Sequence, residues 1–138
     1  MNDEKVARIL SQARTVAVVG LSDKPWRASN GVARYLQESG YKILPVNPNI
    51  TEALGQQSFA SLADIVESVD IIDVFRRAEF VHDLVDPALR SGAKLVWMQE
   101  GIQDAESAHL LQQSGIEVVM DRCLMVEHMR LLGASSKR

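Results

Sequence analysis

Three cations and a hydroxyl are the side chains that first offer chemistry: Ser22, Lys24 and Arg27 in the segment GLSDKPWR at residues 20–27, and Arg76 after the run IIDVF. A hydroxyl donor beside flexible and planar cations suits a phosphate-rich ligand. Gly20 allows a backbone to come close to such a ligand, and Ser29 is a good N-cap for a helix whose first amides would receive an anion. Taken alone, Lys24 reads as a solvated loop residue; its convergence with Arg27 and Arg76 on one rim is what points to phosphate. The segment has one glycine where the dinucleotide fingerprint has three, and no Asp or Glu ends the following strand to hold a ribose 2′-hydroxyl. A conventional NAD site is therefore disfavoured, while an NADP-type pocket using the arginines for a 2′-phosphate stays open.

Other residues near the same rim admit two readings each. Trp26 and Phe75 would stack on adenine or a guanidinium, or simply pack. Asn47 would hydrogen-bond a base or sugar, or close its own turn before Pro48. Gln99, Glu100 and Gly101 would face a cleft or form a polar strand-to-helix loop. Cys123 shares a helix face with Glu127, but His128 lies five positions on and joins an apolar stripe, so a packed cysteine is favoured over a nucleophile. A thiol or redox role for Cys123 remains the alternative. His82 and His109 fall on predicted helices away from the rim, and no histidine pair has metal-ligand spacing.

Alternating elements must position these residues. Val6, Ile9, Leu10 and Ala13 predict a helix from about Asp3 to Ala13, followed by a strand over Thr15 to Val19. Val32, Tyr35 and Leu36 predict a helix from Ser29 to Gly40, and Lys42 to Val46 a second strand. Ser61 and Asp64 resemble a capping box for a short helix through Val66, before a strand over Val69 to Phe75. The stripe from Phe80 to Leu89 predicts a helix ending near Gly92, kinked or broken at Pro87. Leu95 to Met98 and Glu117 to Met120 are predicted strands around a helix from Asp104 to Ser114; a last helix starts near Cys123, and a disordered tail is expected from about residue 132. The expected fold is α/β: a Rossmann-like three-layer sandwich with a five-stranded parallel sheet, whose ligands bind beyond the carboxyl ends of the strands.

With 138 residues, 46% of them hydrophobic, the chain fits one globular domain, 1–138, with a core able to fold unaided. A formal net charge of -3 gives no global attraction to nucleic acid. One cysteine excludes an internal disulfide, and no apolar run approaches the about 20 residues that span a bilayer. Cytoplasmic localisation, with neither membrane nor nucleic acid as partner, is expected.

The segments VVGLSDKPWRASNGVARYLQESGYKILPVNPN, IIDVFRRAEF, GAKLVWMQEGI and VVMDRC resemble, in this order, the small coenzyme A-binding protein family. That family is similar in fold to the N-terminal domain of the succinyl-CoA synthetase alpha subunit, and the resemblance spans about Ala7 to Leu131. It implies that coenzyme A, free or acylated, lies along Gly20, Leu21, Ser22, Lys24 and Arg27, then Pro45, Val46 and Asn47, then Met98, Gln99 and Glu100, with Val74 to Arg76 closing the site. The additional glycines of the synthetase loop are missing, and the domain that bears the phosphorylated histidine is not expected to be present. The implied role is therefore binding, without ligase chemistry.

Overall fold

Short β-branched runs form the sheet and amphipathic helices cover it. The computed structural model describes residues 1–133. In chain order the elements are α1 (Asp3–Gln12), β1 (Thr15–Val19), α2 (Ala28–Glu38), β2 (Lys42–Val46), β3 (Glu52–Ala53), β4 (Gln56–Gln57), β5 (Ile71–Val74), α3 (Val85–Ser91), β6 (Leu95–Met98), α4 (Ala105–Gln113), β7 (Glu117–Val119) and α5 (Leu124–Leu132). Two 3-10 helices, Leu62–Asp64 and Ala78–Leu84, complete them.

Five strands lie parallel in the order β2-β1-β5-β6-β7, so a Rossmann-like sandwich is what forms. Residues of β1, β5 and β6 are buried almost throughout, as strands covered on both faces must be. Alternation sends Val16, Val18, Ile71, Leu95 and Trp97 to one face, where Leu10 of α1, Leu36 of α2 and Leu124 of α5 meet them. Ala17, Val19, Ile72, Val74, Val96 and Met98 face Leu62, Val85, Ala88 and Leu111 on the other. The chain leaves β1 for β2 on one side and then crosses to β5 on the other. That reversal opens a crevice at the carboxyl ends of the three strands.

Several predicted boundaries move, each for a local reason. Helix α2 begins at Ala28, with Arg27 as N-cap, because the Ser29 hydroxyl accepts the Ser22 amide at 2.9 Å instead of capping its own helix. The predicted helix from Phe80 to Gly92 is a 3-10 helix followed by α3. The break falls at Leu84, and Pro87 sits in the first turn of α3, where its missing N–H has no intrahelical acceptor to lose. The capping box of Ser61 and Asp64 forms, but around one 3-10 turn, Leu62–Asp64, that stops short of Val66. The β3–β4 hairpin is absent from the sequence reading: two-residue strands carry no periodicity, and its turn rests on Leu54 and Gly55, both at positive φ. Leu132 closes α5, and the tail from residue 134 lies outside the described residues.

Asp73 is the unexpected member of the core. It occupies the middle of β5, opposite Val18 and Trp97, with no exposure and no hydrogen bond to either carboxyl oxygen among the described residues. Burial without a partner penalises the anion and holds the carboxyl well above its ordinary value of 3.8. As pH rises past that ordinary value the unfolded chain loses this proton and the folded protein keeps it. Asp73 therefore favours the folded state most at low pH, and that contribution declines by about 1.4 kcal/mol per pH unit until the folded carboxyl itself ionises. Asp73→Asn should remove this decline, which urea unfolding of both proteins from acid to neutral pH would measure; parallel profiles would show that Asp73 is ionised in the fold.

Candidate functional site

The loop after β1 is held open by side chains of the helix that follows it. Gly20, at φ +90, ends β1, and its amide donates to the Val46 carbonyl at 2.8 Å. The next turn is tied from three sides. Buried Ser29 accepts the Ser22 amide, buried Asn30 donates to the Ser22 carbonyl at 2.9 Å, and Asn47 donates to the Leu21 carbonyl at 2.9 Å. The Ser22 hydroxyl in turn accepts the Lys24 amide at 3.1 Å. With the loop drawn aside, the Ala28 and Ser29 amides at the start of α2 donate to nothing among the described residues. They are the orphan donors of a helix N-terminus.

A two-lobed cleft opens here. The first lobe, of about 530 Å³, is lined by Ser22, Lys24, Arg27, Ala28, Ser29 and Phe75. The second, of about 520 Å³, reaches under Leu62, Arg76, Leu84, Pro87 and Arg90. Gly20, Asn47 and Asn49 line both, so the lobes share a floor. Four cations, Lys24, Arg27, Arg76 and Arg90, face two acids, Asp23 and Asp83, giving a net-positive cleft in a chain of net charge -3. Lys24 lies 3.9 Å from Asp23, a solvated contact that contributes little. Arg27, Arg76 and Arg90 form no ion pair among the described residues. The same residues include no group of three His, Cys, Asp or Glu able to hold a metal ion.

Comparison with known proteins decides the family. The profile described as "CoA binding domain" matches residues 14–129. This chain belongs to the CoA-binding domain family. A Bacillus subtilis (strain 168) relative, the uncharacterized protein YneT, is 40% identical over 124 residues, covering 90% of this chain and 92% of its own. A structure from Thermus thermophilus, cell-free ID.343, superposes with TM-score 0.90 at 47% identity, covering 95% of this chain and 99% of that one. An ADP-forming acetate–CoA ligase of Archaeoglobus fulgidus is 26% identical over an alignment of 121 residues that covers 80% of this chain and only 18% of the ligase.

Within this CoA-binding domain the residues singled out by sequence divide into three sets. Gly20, Ser22, Lys24, Arg27, Ser29, Val46, Asn47 and Arg76 line the cleft, with Lys24 and Arg27 in the first lobe and Arg76 in the second. Asn47 takes the turn-closing role, its Oδ1 accepting the Asn49 amide at 2.9 Å, and it also braces the Leu21 carbonyl while facing both lobes. Leu21 and Pro45 are buried beside the site and act through backbone carbonyls, Pro45 accepting from the Phe59 amide.

The third set lies elsewhere. Met98 is core, Glu100 is exposed, and Gln99 accepts the Leu124 amide at 3.1 Å, so its side chain holds the start of α5 and lines neither lobe. Trp26 is 77% exposed beside Lys24 and also outside the lobes. Cys123 caps α5 and packs, half-buried, on the core. His128 is buried, its Nδ1 2.7 Å from the Tyr35 hydroxyl, while His82 and His109 lie on the surface. Pro48, expected beside Asn47 at the end of β2, lines the second lobe; Arg90, Pro87, Asn30 and Asn49 were not anticipated, and nothing local in the sequence says that α3 packs against the 3-10 turn Leu62–Asp64 that follows β2.

Gly20 is the floor on which both lobes depend. A methyl group there would lie 3.2 Å from the Phe75 carbonyl oxygen and 3.3 Å from the Arg76 side chain, on a backbone at positive φ. Gly20→Ala should destabilise the fold by about 1 kcal/mol or more and shift Arg76, a loss that thermal unfolding would measure.

Proposed function

We propose that this protein is a stand-alone coenzyme A-binding module that uses the two-lobed cleft and performs no ligase chemistry of its own. The observation that carries this reading is the pair of unengaged amides of Ala28 and Ser29, two residues that line the same lobe as Lys24 and Arg27. A diphosphate set there would meet backbone N–H groups, the positive end of an 11-residue helix and two cations at once. Family membership supplies the ligand class that fits this anion site. In this reading Gly20 admits the diphosphate to the backbone, Ser29 and Asn30 keep the loop clear of it, and Asn47 carries the ligand across to the second lobe. Nothing in the reading asks for a catalytic group, and Cys123 stands outside both lobes.

Isothermal titration with coenzyme A, on protein stripped of bound ligand by unfolding and refolding, is expected to give one site whose affinity falls as salt rises. Arg27→Ala should weaken it about tenfold, about 1.4 kcal/mol, the scale of one charge-assisted contact. Failure of coenzyme A to bind the stripped protein would reject the proposal. Mass spectrometry of the molecule released from freshly purified protein distinguishes the free from the acylated form.

A further inference from the structure

The second lobe contains cationic capacity that a diphosphate in the first lobe does not use. Arg76 follows β5 and Arg90 lies in the last turn of α3, yet both line the same cavity. The end of α3 favours a cation at position 90 wherever it points. It does not explain why that cation and Arg76 share one space. The Arg76 guanidinium lies 5.1 Å from the Phe80 ring centroid, which orients it, and neither arginine is within ion-pair distance of Asp83 or makes a side-chain hydrogen bond among the described residues. With Asp83 the only acid among the described residues of the lining and not paired to either arginine, the cavity stays net positive, and a phosphate dianion would be drawn to it. The remaining wall is mixed: Pro48, Leu62, Leu84 and Pro87 offer apolar surface to a planar base, while Asn47, Asn49 and Ser61 add polar groups.

We infer that Arg90, with Arg76, is the selectivity determinant of this lobe, holding the phosphomonoester on the ribose of a nucleoside bound there. The inference rests on the coenzyme A reading of the cleft and adds a determinant to it. A phosphomonoester carries about -1.5 to -2 charge near neutral pH and accepts planar guanidinium donors. Because Gly20, Asn47 and Asn49 line both lobes, one molecule can place its diphosphate in the first and its ribose phosphate in the second.

The test compares coenzyme A with dephospho-coenzyme A, which keeps the diphosphate and loses the 3′-phosphate, by titration calorimetry on stripped wild-type protein and on Arg90→Gln. Wild type should prefer coenzyme A by about tenfold or more, and Arg90→Gln should bring the two within about threefold, chiefly by weakening coenzyme A. Arg90 is exposed, so the variant should unfold thermally as wild type does; if it does not, Arg76→Gln repeats the comparison. Equal binding of both ligands by wild type overturns the inference while leaving the coenzyme A reading intact. So does equal weakening of both by Arg90→Gln. Tighter binding of 2′,5′-ADP than of 3′,5′-ADP overturns it in favour of a 2′-phosphate ligand, and binding of none of these nucleotides overturns both readings.

Discussion

Ser29 and Asn30 are buried polar residues at the start of a helix, and both direct their side chains back to the loop before it, at 2.9 Å from the Ser22 amide and carbonyl. Each bond satisfies a group that would otherwise be costly to bury, and together they fix where the chain goes between Gly20 and Arg27. Everything else at the cleft follows from that path. Had Ser29 capped its own helix, its hydroxyl would compete for the amides that now stand open, and the Ser22 amide would need another acceptor. Asn47 completes the brace from β2 by holding the Leu21 carbonyl, so three elements set one loop. The crevice itself comes from topology, but its readiness for an anion comes from this small network.

Charge in the molecule is arranged by depth. The cations of the cleft stand at the carboxyl edge of the sheet, where water and a ligand can solvate them. One residue below Val74, on the same strand, Asp73 is sealed among apolar neighbours, and that burial holds its carboxyl well above the ordinary carboxylate range. The cleft owes its positive character, within a chain of net negative charge, to its own lining of Lys24, Arg27, Arg76 and Arg90 against Asp23 and Asp83.

The order of elements and the parallel sheet were legible because buried strands such as Thr15–Val19 and Leu95–Met98 are unbroken apolar runs, and their bounds were read to the residue. The first lobe was legible too, since Gly20, Ser22, Lys24 and Arg27 are neighbours in the chain. What was hidden is what depends on packing between distant segments. Ser29 looks like a cap until its acceptor role for Ser22 is seen, and Gln99 looks like a cleft residue until the Leu124 amide is found on it. Arg90 carries no local signal, because its place in the second lobe depends on how α3, starting after the break at Leu84, packs against the 3-10 turn Leu62–Asp64. Asp73 was read as one more strand position: a carboxylic acid within IIDVF gives no hint of whether a partner awaits it.

The two lobes belong to opposite layers of the sandwich, α2 packing on one face of the sheet and α3 on the other. Any molecule that fills both is therefore a clasp between helices on opposite faces of the sheet. Local opening of α3 would then require release of a group held at α2, and backbone amides of the 3-10 helix and α3 would exchange with solvent in step with those of the loop after β1. A ligand spanning both lobes would couple the opening of α2 and its loop to that of α3 across the sheet.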